Sequence, residues 1–241
     1  MVPGDLADPA LLEHAMRGVA KVFLLSSPHP DAVRWHSNAI AASRQARVRL
    51  LVRSSIIGAD RDSPSEFIQA HVESDRELVA SGVPYAIVRP NLFLQNIAES
   101  TVAGIDGAGR FYVNAGSARI SMVDTDDVAA VARVLLTEPG HEGEAHVVTG
   151  PAAVSYQDVA GALSDRLGRQ ITCTDVPDDA VRQSLLALGL SPWFVDALVG
   201  LYQDYRRSGV DGYAAQVTDA VERLAGRPPR SLADYVAGLP S

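Results

Sequence analysis

One histidine of this 241-residue chain, His71, stands where a proton-transfer group would be useful. An imidazole has an unperturbed pKa of about 6.5, so it exchanges protons near neutrality. His71 shares a helical stripe with Phe67 and Leu78, and that stripe faces strand ends carrying Ser55 and Asn91. The residues favour a proton-transfer site at these strand ends, and a buried histidine bonded to the backbone is the alternative.

Two asparagines follow the strand that Pro90 ends. The carboxamides of Asn91 and Asn96 can orient a carbonyl or amide group of a substrate, and capping of a turn is the alternative role. Arg53 and Arg89 flank the same strand ends, and we predict surface salt bridges for both.

The strand that positions these residues is the run Tyr85–Val88, which is rich in aromatic and β-branched residues. Gly82 is suited to end the preceding helix in a left-handed conformation. Pro90 ends the strand because it has no N–H to donate. In a parallel sheet, ligands bind at the carboxyl ends of the strands, so residues 89–91 are placed where a ligand would bind.

The rest of the chain repeats this alternation of strand and helix. Residues 19–25 are a nearly continuous apolar run, typical of a strand buried on both faces, and residues 48–57 are predicted as the next strand. Residues 63–66 have the spacing of a capping box for the helix that carries His71. A helix from Asp31 to about residue 46 is predicted with Val33 and Ile40 facing inward. Further helices are predicted over residues 92–102, from Asp124, from a cap at residues 155–158 to Gly168, and over residues 178–188, 191–207, 213–224 and 231–237. The pattern predicts an α/β fold with a parallel, doubly wound sheet.

Composition excludes several functions. The net charge is −8 and the isoelectric point is near 5.2, which argues against nucleic acid or an anionic membrane as partner. The single cysteine, Cys173, and the scattered histidines predict neither a disulfide nor a metal site. We find no signal peptide or membrane-spanning run, so the prediction is a cytoplasmic protein with a small-molecule substrate.

Several segments together resemble the NmrA-like branch of the atypical short-chain dehydrogenase/reductase family. Each is weak alone, but their order and spacing are specific and cover nearly the whole chain. The segments are GDLADP (4–9), VFLLS (22–26), SSIIGA (54–59), SGVPY (81–85), RPNLFLQN (89–96), ISMVDTDDVA (120–129) and GRPPRS (226–231).

This resemblance implies a Rossmann-like domain over residues 1–150 and a small, mainly helical part that covers the substrate over residues 151–241. It implies an NAD(P)H-dependent reductase acting on a small, largely apolar metabolite. Members of the family reduce quinones, imines, enones or ethers, and some bind the dinucleotide as redox sensors without turnover.

The resemblance also implies roles for individual residues. His71 and Ser55 occupy the positions of catalytic groups. The implied cofactor contacts are Asp5, Ser26, Pro90 and Asn91. The implied substrate contacts are Phe93, Asn96, Phe111 and Trp193.

The chain departs from the family pattern at its start, because no G-x-x-G-x-x-G turn precedes the Gly4-Asp5 segment. That turn normally holds the pyrophosphate. The sequence therefore predicts an N-terminally truncated fold that lacks central strands. Either the start is misassigned or the chain is a shortened form, or the protein is naturally short and has left nicotinamide chemistry.

Two further functions stay open from the sequence. The first is a cofactor-independent isomerase, cyclase or lyase that uses His71 in the same cleft. The second is a non-catalytic regulator that pairs with another chain through the exposed sheet remnant. A homo-oligomer formed through that remnant is compatible with any of the three functions.

Overall fold

The computed structural model describes residues 3–239 as a parallel sheet with helices packed around it. The strands are β1 (Lys21–Leu24), β2 (Leu50–Ser54), β3 (Tyr85–Pro90), β4 (Arg110–Val113), β5 (Ala145–Val148) and β6 (Thr172–Asp175). The helices are α1 (Pro9–Ala15), α2 (Ala32–Gln45), α3 (Glu66–Ala80), α4 (Thr125–Thr137), α5 (Tyr156–Leu167), α6 (Asp178–Ala187), α7 (Pro192–Ser208), α8 (Ala220–Ala225) and α9 (Leu232–Ala237). Short π-helical and 3₁₀ segments lie at Ile97–Val102 and Tyr213–Ala215.

The main sheet has four parallel strands in the order β1-β2-β3-β5. Leu51 and Val52 of β2 and Ala86 and Val88 of β3 are fully buried, because helices cover both faces of the sheet. The predicted parallel α/β fold is confirmed. The expectation of a sheet lacking its middle is wrong for the described strands, which pair consecutively and leave β1 at one edge.

The second part of the chain, after residue 150, is mainly helical, and its strand β6 pairs in parallel with β4 of the first part to form a separate two-stranded sheet. Helix α7 packs across α3, and α9 packs against α5. The contact between α7 and α3 places the second part over the helix that carries His71. The division at residue 150 stays a prediction. Within residues 3–239, no helix has the length and apolarity that a bilayer crossing requires.

The predicted helix over residues 92–102 is wrong only at its start, because helical structure begins at Gln95 and not at Leu92. Leu92 and Leu94 instead bond through their backbones to Val123, with N···O distances of 2.9 Å in both directions. These bonds use the backbone groups that a helix would need at its start, so helical structure begins at Gln95 and continues as the π-helical segment Ile97–Val102. The loop after β3 therefore leads into this segment, with Gln95 and Asn96 already helical.

The predicted capping box at the start of α3 is also wrong. Ser65 precedes the helix, and its side chain makes no capping hydrogen bond. The Ser63 hydroxyl instead donates to Oδ2 of Asp204 in α7 at 2.8 Å and accepts from the Ser65 N–H at 3.1 Å. A tertiary contact with α7 thus uses the hydroxyl that a local cap would need.

One helix is predicted over residues 213–224, but the structure has the 3₁₀ segment Tyr213–Ala215 and the short helix α8 with a non-helical segment between them. The Thr218 N–H donates to Oγ1 of Thr149 at 3.0 Å, and the Thr218 hydroxyl donates to the carbonyl of Val147 at 2.7 Å. These bonds hold the segment extended beside β5. Helix α8 therefore begins only at Ala220.

The acidic cluster at the start of α4 binds the C-terminal tail. Asp124 caps α4 by accepting from the Asp126 N–H, as predicted for a helix start. Its other oxygen lies 3.0 Å from Nη1 of Arg230, and the Arg230 N–H donates to Asp127 at 2.7 Å. Arg227 also pairs with Asp127. The cluster therefore joins α4 to the segment before α9.

Candidate functional site

A cavity of about 310 Å³ opens at the carboxyl ends of β1, β2 and β3. Its floor includes the residues that follow these strands, Ser26, Ser55 and Asn91. Helix α7 lines one side of the cavity with aromatic side chains. The Trp193 ring packs edge to face against Phe67 of α3, with ring centroids 5.7 Å apart. The fold thus builds a ligand-sized site where the ends of parallel strands predict one.

Most of the residues predicted for the site line this one cavity. They are Ser26, Ser55, His71, Pro90, Asn91, Phe93, Asn96 and Trp193. Helix α3 presents His71 from one side, and the loop after β3 presents Phe93 and Asn96 from another. The structure brings these side chains together, and their individual roles stay predictions.

Two of the predicted residues lie elsewhere. Phe111 is 2% exposed on β4, with its ring centroid 6.2 Å from that of Tyr156, and it lines a second cavity of about 500 Å³. Phe111 does not reach the cavity that contains Trp193, because β4 pairs with β6 outside the main sheet. Asp5 is exposed, and its carboxylate accepts from the Ala7 N–H at 2.8 Å in the turn before α1.

Arg53 is the main correction to the predicted site. The surface salt bridge predicted for it is wrong, because its side chain is fully buried. One guanidinium nitrogen, Nη2, donates to Nδ1 of His71 at 3.0 Å and to Nδ1 of His36 at 3.3 Å. Its Nη1 pairs with Asp75. Arg53 therefore stands at the centre of a buried polar network beneath the cavity.

Asp75 is the anionic partner in this network. Its carboxylate accepts from Arg53, from the Ser55 hydroxyl at 2.9 Å and from Arg89 at 3.2 Å. Burial raises the pKa of the Asp75 carboxyl, and the two guanidinium groups oppose that rise. Because Ser55 donates its only proton to Asp75, it meets a ligand as a hydrogen-bond acceptor. Asp75 is missed by the sequence interpretation, although it lies four residues after His71 on the same helix.

The protonation state of His71 follows from its surroundings. Burial and the nearby Arg53 charge hold the pKa of His71 well below its usual range, so the ring is neutral at neutral pH. Arginine only donates, so Nδ1 of His71 is the acceptor and Nε2 carries the hydrogen. The assumption of a histidine that titrates near neutrality is therefore wrong. His71 is suited to donate a hydrogen bond from neutral imidazole.

His36 is a cavity residue that the sequence interpretation misses. Burial, together with the Arg53 charge, lowers its pKa to about 4. Its Nε2 lies 2.9 Å from the Ser26 hydroxyl on the opposite side of the ring from Arg53. The spacing of His36 from Val33 and Ile40, which were predicted to face inward, is the signal that would have placed it there.

The two asparagines differ in what they offer a ligand. Asn91 is 3% exposed, and its amide donates to the Ser121 hydroxyl at 2.9 Å and to the Ala214 carbonyl at 2.8 Å. Its Oδ1 accepts from the Leu92 N–H at 2.8 Å. Asn91 thus has no amide hydrogen left for a substrate and fixes the loop instead. Asn96 is partly exposed on the cavity wall.

A nicotinamide ring suits this cavity better than a pyrophosphate does. The cavity is at the small end of ligand pockets, which span about 300–1,000 Å³, and it is lined mainly by apolar groups. A pyrophosphate needs backbone N–H groups at a helix N-terminus. The β1–α2 connection instead contains Pro28 and Pro30, which lack N–H groups, and the anionic Asp31 at the start of α2. The described residues therefore fit the nicotinamide half of a dinucleotide.

Comparison with known proteins gives a consistent result. A family model described as NAD(P)H-binding matches residues 1–139. The NAD(P)H azoreductase of Xenophilus azovorans is 36% identical over 232 residues, which are 96% of this chain and 79% of that protein.

Solved structures agree with the family match. An NADPH-dependent quinone oxidoreductase of Escherichia coli, solved with NADPH, aligns with a TM-score of 0.87 and 28% identity, covering 98% of this chain and 81% of that one. NmrA, a negative transcriptional regulator solved with NAD, is similar in fold alone, with a TM-score of 0.76 and 14% identity over 98% of this chain and 79% of that one.

Proposed function

Because this chain belongs to the NmrA-like, NAD(P)H-binding group of atypical short-chain dehydrogenases/reductases, we propose that it reduces a small, largely apolar acceptor with NAD(P)H. The coarse assignment, an oxidoreductase of an NAD(P)H-dependent reductase family, follows from the membership. The acceptor and the residues that handle it are the proposal.

The observation that carries the proposal is the cavity between the strand ends and α7. Phe67, Trp193 and Phe194 form an aromatic cluster at its wall, with ring centroids 5.6–5.7 Å apart around Phe67. Flat aromatic groups favour contact with such a surface. The two relatives are named for reducing azo compounds and quinones. We therefore propose a planar, conjugated acceptor of the quinone or azo class.

His71 would stabilise the charge that develops on such an acceptor. When bound, NAD(P)H supplies a hydride, and the acceptor then gains electron density on an oxygen or nitrogen atom. The neutral His71 ring, held by Arg53, donates from Nε2 to that atom. A neutral imidazole is a weak acid, so the accompanying proton comes from solvent. Ser26 and Pro90 are the proposed contacts to the nicotinamide half of the cofactor.

The test is a titration of the full chain with NADPH and NADH, followed by oxidation of the bound nucleotide with a simple benzoquinone and with an azo dye. We expect micromolar binding of one nucleotide and its oxidation only when an acceptor is present. Absence of binding up to millimolar nucleotide would remove the proposal and favour the cofactor-independent alternative.

A further inference from the structure

The turn between α4 and β5 places His141 and Glu144 beside His146, the second residue of β5, at the end of the sheet opposite the cavity. One ligand atom from each of the three side chains lies within 4.8 Å of the others. The sequence interpretation predicts no metal site, because it treats the histidines as scattered. The spacing His-x₂-Glu-x-His is the local signal that it leaves unused.

His146 contributes a buried ring nitrogen to the cluster. The residue is 5% exposed, and within the described chain its buried Nε2 atom has no hydrogen-bond partner. That atom lies 3.4 Å from Oε2 of Glu144, without the geometry of a hydrogen bond. Buried ring nitrogens are rarely left unpartnered, because the lost hydration is not replaced. An ion between the two side chains would replace it.

The backbone of the turn is already fixed. The Gly143 N–H donates to the carbonyl of Tyr85 at 2.7 Å, and the Ile87 N–H donates to the carbonyl of Glu144 at 2.9 Å. Both bonds attach the turn to β3, so the backbone that carries the three side chains is held in place. The Glu144 side chain is 57% exposed, which leaves the cluster open to ions from solvent.

We propose that His141, Glu144 and His146 bind a divalent metal ion of the zinc class. Two imidazole nitrogens and one carboxylate oxygen form a donor set that Zn²⁺ takes, with a fourth position left for water. Ligand atoms about 2.1 Å from a tetrahedral ion lie about 3.4 Å apart. The His146–Glu144 separation of 3.4 Å already matches this value. The positive charge of Arg223, which acts on His146, opposes binding.

Calorimetric titration of the full, tag-free chain with Zn²⁺ near neutral pH tests the proposal. We expect one ion to bind per chain and chelator to remove it. Glu144→Gln and His141→Ala alter partly exposed groups, and each should weaken binding more than about 10-fold, the lower bound for losing even an outer-sphere partner. His14→Ala, at an exposed histidine on α1, should leave binding unchanged.

His146→Gln alters a buried side chain and so also tests folding, and the variants at Glu144 and His141, which are more exposed, decide the outcome. Failure of the parent chain to bind Zn²⁺ overturns the proposal. Equal Zn²⁺ affinity in the parent chain and in both Glu144→Gln and His141→Ala overturns it as well, because the ion would then bind elsewhere. The site lies away from the cavity, so both results are independent of the proposed reductase activity.

Discussion

Nη2 of Arg53 lies 3.0 Å from Nδ1 of His71, beneath the cavity at the strand ends. This contact decides what His71 can do, because a guanidinium only donates hydrogen bonds. His71 is held neutral, with its remaining N–H on Nε2. Arg53 therefore acts as a positioning residue for His71 and does not need to contact a ligand.

Replacing His71 should reduce turnover more than it weakens binding. We predict that His71→Ala lowers kcat by about 100-fold, the usual effect of removing one donor to a developing negative charge. His71→Gln, which keeps an amide donor, should recover part of this loss. Steady-state kinetics with a quinone acceptor measures the effect, and exposed His14→Ala is the control. An unchanged kcat in His71→Ala would exclude the proposed role.

The protein should lose stability in mild acid. The pKa of His36 is about 4 in the folded chain against an ordinary value of 6.5, so the unfolded chain binds more protons between these values. Stability is therefore fully present above about pH 6.5 and falls as the pH drops towards 4. His36 alone should account for about 2 kcal/mol of lost unfolding free energy between about pH 7 and about pH 5.

The lowered pKa of His71 acts in the same direction. Urea unfolding at the two pH values measures the loss. His36→Gln should reduce the pH dependence relative to the parent chain. A free energy of unfolding that stays constant across this range would show that neither ring is held neutral.

Asp75→Asn should destabilise the fold, because it leaves the buried guanidinium of Arg53 without its charge partner. Removing one member of a buried ion pair costs about 3–5 kcal/mol. Glu73→Gln is the matched control, since Glu73 is exposed on the same helix. Chemical denaturation of both variants compares the free energies of unfolding. A cost of Asp75→Asn no larger than that of Glu73→Gln would contradict the network as described.

Asn91→Ala should act on stability and leave acceptor binding little changed. The substitution removes the bonds that join the end of β3 to Ser121, before α4, and to Ala214 in the C-terminal segment. Loss of buried hydrogen bonds of this kind costs about 1–3 kcal/mol. Thermal unfolding and KM for the acceptor distinguish the two effects. A large rise in KM with unchanged stability would instead assign Asn91 to the substrate.

The sequence predicts most of the sheet and the helices with clear local signals. Gly82 and Gly168 adopt positive φ, and Ser155 caps α5 as predicted, in a capping box with Asp158. The errors occur where tertiary contacts override a local pattern. Ser63 bonds to Asp204 in place of capping α3, and Thr218 bonds to β5 in place of continuing a helix.

The site is predicted less completely than the fold. His71 and Ser55 are found because a helical stripe and a strand end point to them, and Trp193 is found through the family resemblance. Arg53 is misjudged because an arginine in a strand is usually assigned to the surface. Its burial depends on Asp75, whose position becomes clear only when α3 is packed against β2.

Steady-state oxidation of NADPH by a quinone, compared in the parent chain and in Trp193→Ala, tests the proposed reductase site most directly. We predict turnover by the parent chain and a KM for the quinone about 10-fold higher in the variant, because an aromatic wall of the cavity is lost. No turnover by the parent chain, or the same KM in both proteins, would contradict this prediction.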